Sequence, residues 1–135
     1  VRDEAAGEWV INGSKTYITN GHRADVIVLV TKTDPDAGYD GFTLFLVPMD
    51  ASGVVREQKL QKMGMHASDT ALLAFQDVRV PASAVLGEVG KGFYHIMWEL
   101  QGERLVGAIG EDEEWERCAS FLRDSSPTAY DELLG

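Results

Sequence analysis

The sequence has 135 residues, of which 44% are hydrophobic and 25% are charged, a composition typical of one folded domain and not of a disordered segment. The formal net charge of −10 disfavours nucleic-acid binding, because contacts with phosphate require clustered Lys and Arg. One cysteine, Cys118, excludes a disulfide framework or a cysteine-built metal site, and no apolar run reaches the roughly 18 residues of a membrane span.

The first 80 residues alternate between strand-like segments and turn residues, as in antiparallel β-structure. Asn12-Gly13 predicts a hairpin turn, because both residues tolerate positive φ. The apolar run at 26–31 predicts a strand that is buried on both faces, and Pro81, which cannot donate to a ladder, ends the last strand. The predicted strands are 8–11, 14–19, 26–31, 42–47, 54–60 and 70–78. Six short strands indicate a small antiparallel β-barrel or sandwich.

One long helix is predicted after the strands, where apolar residues recur at close to the helical period. These residues are Ile96, Met97, Leu100, Ala108, Trp115, Ala119 and Leu122. The glycine-rich stretch 87–92 before the helix favours a strand-to-helix turn with positive φ over a phosphate-binding loop, because no parallel sheet is predicted around it. Ser125-Ser126-Pro127 ends the helix, and residues 111–135 hold eight acidic residues and two Arg, which is −6 of the total −10.

Glu103 is the candidate for chemistry in this helix, since the three histidines fall in different elements without metal-ligand spacing. Neighbouring helical residues point about 100° apart, so Arg104 cannot simply neutralise Glu103. Helical spacing places Glu103 near the apolar face. Loss of hydration there favours the neutral form of a carboxyl group, which suits a general base near neutral pH. An ordinary half-exposed glutamate is the alternative that the residues leave open.

Four segments, in order and at matching spacing, resemble motifs of the acyl-CoA dehydrogenase family. Residues 13–21 read GSKTYITNG and resemble the strand NGxKxWITNG, and residues 62–70 read KMGMHASDT and resemble the loop KxGxxxSxT. Residues 75–93 resemble the run FEDVxVP…LG…GxGF, and residues 100–105 read LQGERL and resemble the helix LxxERL. Each match alone is weak, but the series is highly specific.

The resemblance implies a mainly β fold followed by one long α-helix, and a flavin site. In this family a central β-domain lies between an N-terminal helical domain and a C-terminal four-helix domain that mediates subunit contacts. The implied division is a partial middle β-domain at 1–86, the start of the C-terminal helical domain at 87–124 and an acidic tail at 125–135. FAD lies between the β-domain and the C-terminal helices, and the strand match implies that Tyr17, Ile18 and Thr19 line it. Tyr17 replaces the usual Trp, and an aromatic ring packs well against isoalloxazine.

The helix match implies the catalytic base. Most branches of the family carry the catalytic Glu far downstream, whereas the long-chain and isovaleryl branches carry it immediately before the helix Arg. The motif here is closest to the long-chain type, which implies Glu103 as the base and Gln101, Gly102 and Arg104 as substrate-side residues. The implied reaction is α,β-dehydrogenation of a fatty acyl-CoA to 2-enoyl-CoA, with the β-hydride accepted by FAD and the developing enolate stabilised by hydrogen bonds.

Further expectations concern partners and location. The resemblance implies an electron-transfer flavoprotein as electron acceptor and a homo-oligomer at full length. No targeting segment is visible, so we expect a cytoplasmic protein, or one of the mitochondrial matrix if the source is eukaryotic. The family segment TEPxAGSD and the later C-terminal helices do not occur, and residues 124–127 depart from the usual RxxFG continuation. We therefore expect this chain to bind FAD weakly and to turn over no substrate alone.

Two other functions remain open at this stage. One is a non-catalytic module that packs against a full-length partner, with Trp115 and Tyr130 of the acidic segment 111–135 in an interaction surface. Retention of Glu103 argues against it, because a module without catalysis has no need of a base. The other is a flavin monooxygenase on the same fold, which is the weaker alternative because it needs no carboxylate on the helix.

Overall fold

The computed structural model describes the backbone of residues 1–109 and the side chains of residues 1–104. Within that range the chain forms seven strands and one α-helix. The strands are β1 (Arg2–Asp3), β2 (Glu8–Thr19), β3 (Val26–Lys32), β4 (Phe42–Pro48), β5 (Val54–Lys59), β6 (Thr70–Pro81) and β7 (Val85–Leu86), and the helix is α1 (Gly92–Ile109). The predicted helical positions from Trp115 onward, Cys118 and the acidic tail lie outside the described residues.

The strands form two antiparallel sheets that share one hydrophobic core. One sheet has the order β1-β2-β6-β5 and the other β3-β4-β7. Trp9 of β2 meets Phe45 of β4 edge to face with ring centroids 5.4 Å apart, and burial of each such side chain contributes about 1.5–3 kcal/mol. The predicted small barrel or sandwich with a following helix is confirmed as a sandwich, since no ladder joins the two sheets in the described part of the chain.

The chain does not turn at Asn12-Gly13, so the predicted hairpin is wrong. β2 is continuous from Glu8 to Thr19, and both of its halves pair with β6. Between Ile11 and Gly13, β6 contains one extra residue, and Asp77 there adopts φ 49°. Asn12 holds this bulge, because its Nδ2 donates to Asp77 Oδ1 at 2.9 Å and its Oδ1 accepts from Asp77 N–H at 2.8 Å. One long partner strand satisfies both segments, which outweighs the local turn preference.

The segment predicted to be buried on both faces is buried on one. In β3, Leu29 is 2% exposed, whereas Val26 and Val28 are 48% and 54% exposed. Val28 pairs with Leu46 of β4, which is 44% exposed on the same outer face. β3 is an edge strand of its sheet, and an antiparallel sheet turns only one face toward the core. The continuous apolar run at 26–31 therefore does not indicate burial on both faces of this strand.

The glycine-rich stretch is a strand-to-helix turn with positive φ, as predicted. Gly90 adopts φ +83°, and its N–H donates to the buried Oγ1 of Thr43 at 3.0 Å. A Cβ on Gly90 would lie 2.6 Å from the main-chain oxygen of Asp40, so a larger residue does not fit without movement. α1 begins at Gly92, and no helix in the described residues has the length and apolar character of a membrane span.

Arg79 ties the first strand to the sheet. Its Nη1 lies 3.0 Å from Asp3 Oδ2 and 3.2 Å from Glu8 Oε2. Hydrogen bonds from the Arg79 side chain and from the Ala6 N–H lower the pKa of Asp3, and the hydrogen bonds to the two carboxylates raise the pKa of Arg79. The pair is largely exposed, so it contributes modestly and is screened by salt.

Candidate functional site

Tyr17 lies in a second bulge, near the end of β2. Between the pairs Lys15–Leu73 and Ile18–Ala71, β2 advances by three residues while β6 advances by two. Tyr17 accommodates the difference at φ 60°, in the left-handed region. That conformation costs a residue with a Cβ about 1–2 kcal/mol. Strained backbone persists only where the surrounding structure holds it in place, and such residues are concentrated at functional sites.

The three residues assigned to the flavin differ in their surroundings. The side chain of Ile18 is half-buried and packs against the core shared by the two sheets. Tyr17 is 75% exposed, and Thr19, two residues later, is also exposed. An exposed aromatic ring thus stands on a segment whose middle residue is anchored in the core. This arrangement leaves the ring free to pack against a flat apolar ligand.

A tight turn follows β2 directly. Asn20 adopts φ 59°, and its main-chain oxygen accepts hydrogen bonds from the N–H of Arg23 at 3.0 Å and of Ala24 at 2.8 Å. The N–H of Gly21 donates to the oxygen of Ile18 at 3.2 Å. A Cβ on Gly21 would lie 3.0 Å from that of Ala71, so the turn rests closely on β6. The left-handed residues Tyr17 and Asn20 therefore bracket the Ile18–Thr19 pair.

Asp69, the residue just before β6, holds this turn. It is 2% exposed, its main-chain oxygen accepts from Asn20 N–H at 3.1 Å, and its Oδ1 accepts from His22 N–H at 3.3 Å. Its Oδ2 lies 3.4 Å from Arg23 Nε but makes no hydrogen bond within the described residues, so that contact is an ion pair by proximity alone. Sequence reasoning gave Asp69 no role, although it lies in the loop motif at 62–70.

The loop that joins β5 to β6 contains the same motif. Lys62 Nζ donates to the oxygen of Ser68 at 2.7 Å, and His66 Nε2 lies 2.8 Å from the oxygen of Lys62. Met63 and Met65 are exposed at its tip, and Met65 adopts φ 49°. The loop closes on itself and leads into Asp69 at the base of the turn after β2.

The residues assigned to catalysis and substrate lie together on α1. Gln101, Gly102, Glu103 and Arg104 are exposed. The half-buried Leu100 precedes Glu103 by three residues, so both lie on one face of the helix. Of the described residues, those from 94 to 109 belong to a second unit, whereas Tyr17–Thr19 belong to the unit Val1–Phe93. The predicted site residues therefore form two sets, one in each unit.

A cavity of about 260 Å³ lies in the first unit. Residues of β2 and β3 line it, including Trp9, Gly13, Lys15 and Thr31, and Tyr17 is not among them. No group of three His, Cys, Asp or Glu residues within the described range could hold a metal ion. The candidate site is thus the exposed surface at the end of β2.

The chain is similar to known proteins along most of its length. The family model described as acyl-CoA dehydrogenase, middle domain, matches residues 1–78. The long-chain specific acyl-CoA dehydrogenase of Rattus norvegicus mitochondria is 49% identical over 104 residues, which is 76% of this chain and 24% of that protein. The mitochondrial isovaleryl-CoA dehydrogenase of Solanum tuberosum is 44% identical over 120 residues, 89% of this chain and 29% of that protein.

A solved structure gives the same picture. The crystal structure of an acyl-CoA dehydrogenase from Geobacillus kaustophilus superposes with a TM-score of 0.75 at 52% identity, covering 80% of this chain and 28% of that one. The chain spans between 24% and 29% of the lengths of these three relatives.

Proposed function

This chain belongs to the acyl-CoA dehydrogenase family, and we propose that it is a part of such an enzyme that supplies residues to both the FAD site and the acyl-CoA site. The observation that carries the proposal is the strained and exposed Tyr17, which lies inside the segment matched by the family model. The proposed division is a middle β-domain at 1–86, the start of the helical domain at 87–124 and an acidic tail at 125–135.

The residues at the end of β2 fit a flavin. Tyr17 offers an exposed ring, Thr19 offers an exposed hydroxyl group, and the half-buried Ile18 between them packs against the core. The left-handed backbone at Tyr17 and Asn20 sets the direction of these side chains before any ligand binds, and such preorganisation lowers the entropy lost on binding. FAD, when bound, supplies the acceptor for the hydride that leaves the β-carbon of the substrate.

Glu103 is the proposed base. One of its carboxylate oxygens takes the α-proton of the acyl-CoA, and the electron pair of that C–H bond moves toward the thioester carbonyl. Gln101, Gly102 and Arg104 are the proposed substrate-side residues, and all of them are exposed on the same helix. The solvated surface around Glu103 has to become dry for efficient proton transfer, so substrate or a further protein surface must cover it.

We also propose the type of enzyme, its reaction and its partners. The order Glu103-Arg104 on the helix favours the long-chain type of enzyme, with α,β-dehydrogenation of a fatty acyl-CoA to 2-enoyl-CoA as its reaction. Electron-transfer flavoprotein is the proposed acceptor of the electrons, and the full-length enzyme is proposed to be a homo-oligomer in the cytoplasm, or in the mitochondrial matrix of a eukaryote. The isolated chain is proposed to bind FAD weakly and to be inactive, because it spans only 24% to 29% of the lengths of its relatives.

The test of the base uses the full-length protein that contains this segment, purified with FAD. Addition of a long-chain acyl-CoA bleaches the flavin absorbance, and Glu103→Gln slows this bleaching by about 10²–10⁴-fold, the usual contribution of a general base. Glu99→Gln is the matched control, because Glu99 lies one turn earlier on the same helix and is also exposed. Equal bleaching rates in the two variants contradict the assignment.

A further inference from the structure

We infer that Asp69 is a positioning residue. Its carboxylate holds the turn after β2 and thereby keeps Tyr17, Ile18 and Thr19 in the conformation that is proposed to bind the flavin. The inference rests on the proposed function for the role of those three residues. Asp69 itself contacts neither the proposed substrate side chains nor Tyr17 in the contacts described above, so it acts through the turn.

The contacts place Asp69 at the corner where β2 ends. Thr19 pairs with Thr70, the residue next to Asp69. Asp69 then binds three successive parts of the turn, through its main-chain oxygen to Asn20, through Oδ1 to the N–H of His22, and through Oδ2 to Arg23. Loss of this side chain would leave the His22 N–H without its partner and Arg23 without its counter-charge.

The negative charge of Asp69 has a particular use here. Burial of a carboxylate is unfavourable, and the side chain of Asp69 is 3% exposed with no hydrogen bond to Oδ2 from the described residues. Its charge draws in Arg23, whose Nη2 in turn donates to Asn20 Oδ1 at 3.3 Å. The guanidinium therefore holds Asn20 in the left-handed region, three residues from the strained Tyr17. A neutral residue at position 69 would keep the packing but lose the attraction for Arg23, and with it the support that the guanidinium gives to Asn20.

The chain offers an internal control. Asp77 lies within β6, which begins just after Asp69, takes part in the other β2–β6 bulge through Asn12 and has left-handed backbone of its own. Replacement of Asp77 removes an aspartate and the hydrogen bond that its Oδ1 accepts from Asn12, without touching the turn at Asn20. A general loss of sheet stability would therefore follow from either replacement, whereas loss of the Tyr17–Thr19 conformation would follow from replacement of Asp69 alone.

The experiment measures hydrogen exchange in the flavin-free chain and FAD affinity by quenching of flavin fluorescence. In Asp69→Ala we expect amide exchange to accelerate about tenfold at His22 and also at Ile18 and Thr19, with about tenfold weaker FAD binding, as for loss of a buried hydrogen bond to a charged group. Asp69→Asn keeps the Oδ1 acceptor, so we expect it to restore protection at His22 in part. Asp77→Ala accelerates exchange at 10–14 and leaves FAD affinity unchanged.

Two results overturn the inference: acceleration in Asp69→Ala that stops at the turn without reaching Ile18 and Thr19, or unchanged FAD affinity in that variant. If Asp69→Ala does not fold, Arg23→Gln tests the part of the inference that runs through Asn20, because Arg23 is 68% exposed and its replacement removes the guanidinium between Asp69 and Asn20. If the unaltered chain gives no FAD signal, the proposal that this chain alone binds FAD fails, and exchange at Ile18 and Thr19 still decides the role of Asp69.

Discussion

The strain at Tyr17 can be measured by comparing two replacements at that position. Tyr17→Ala and Tyr17→Gly both remove the exposed ring, and they differ from each other by one Cβ. At φ 60° that Cβ costs about 1–2 kcal/mol, while the greater freedom of Gly in the unfolded chain costs about 0.4–1 kcal/mol in the other direction. The net expectation is that Tyr17→Gly is the more stable of the two by about 1 kcal/mol.

Thermal unfolding followed by circular dichroism checks this expectation. For a domain of this size a difference of that order corresponds to roughly 4 °C in Tm. Lys15, on the same strand before the bulge, provides the control, because at a position of ordinary strand geometry the Gly variant should be the less stable one. If Tyr17→Ala matches or exceeds Tyr17→Gly in Tm, the backbone at Tyr17 is not strained, and strain does not mark this residue as part of a functional site.

Three further predictions concern the fold. Asn12→Ala removes both hydrogen bonds to Asp77 and should lower the free energy of unfolding by about 1–2 kcal/mol in urea titration. An unchanged midpoint would show that these hydrogen bonds do not stabilise the bulge. Val28→Thr on the outer face should change stability by under about 0.5 kcal/mol, whereas Leu29→Ala in the core should cost about 2–5 kcal/mol; similar losses would contradict the assignment of the two faces. Because the pKa of Asp3 is lowered in the fold, its contribution is present above the ordinary value of 3.8 and is lost as pH falls through the lowered value. Asp3→Asn should therefore unfold with a weaker dependence on acid pH, and identical acid titrations would refute this contribution.

Local signals predicted the fold class but not the course of the second strand. The strand-like segments, their turns and the helix after the glycine-rich stretch follow from side-chain periodicity and from residues that tolerate positive φ. The hairpin prediction at Asn12-Gly13 was wrong because the partner strand β6 lies some 60 residues away, and its pairing with both halves of β2 cannot be read from the local sequence. The side-chain bonds between Asn12 and Asp77 belong to that same long-range contact.

The candidate site was likewise predictable from the sequence only in part. Motif resemblance selected Tyr17, Ile18 and Thr19, but the bulge that strains Tyr17 depends on one extra residue relative to β6, which no property of residues 13–21 reveals. Asp69 was within a recognised motif without a role, because its three contacts with the turn exist only once β2 and β6 are paired. The role of Glu103 stays a prediction, since helical spacing fixes its face but not what covers that face.

The most direct test of the central claim is FAD titration of this chain and of two tyrosine variants, followed by quenching of flavin fluorescence. Tyr39 is the control, since it is 65% exposed in the same unit and stacks on Phe93 with ring centroids 4.4 Å apart. The account predicts that Tyr17→Ala weakens FAD binding about tenfold, the worth of one aromatic contact, and that Tyr39→Ala leaves it unchanged. Equal affinities in the unaltered chain and in Tyr17→Ala would contradict a flavin at the end of β2.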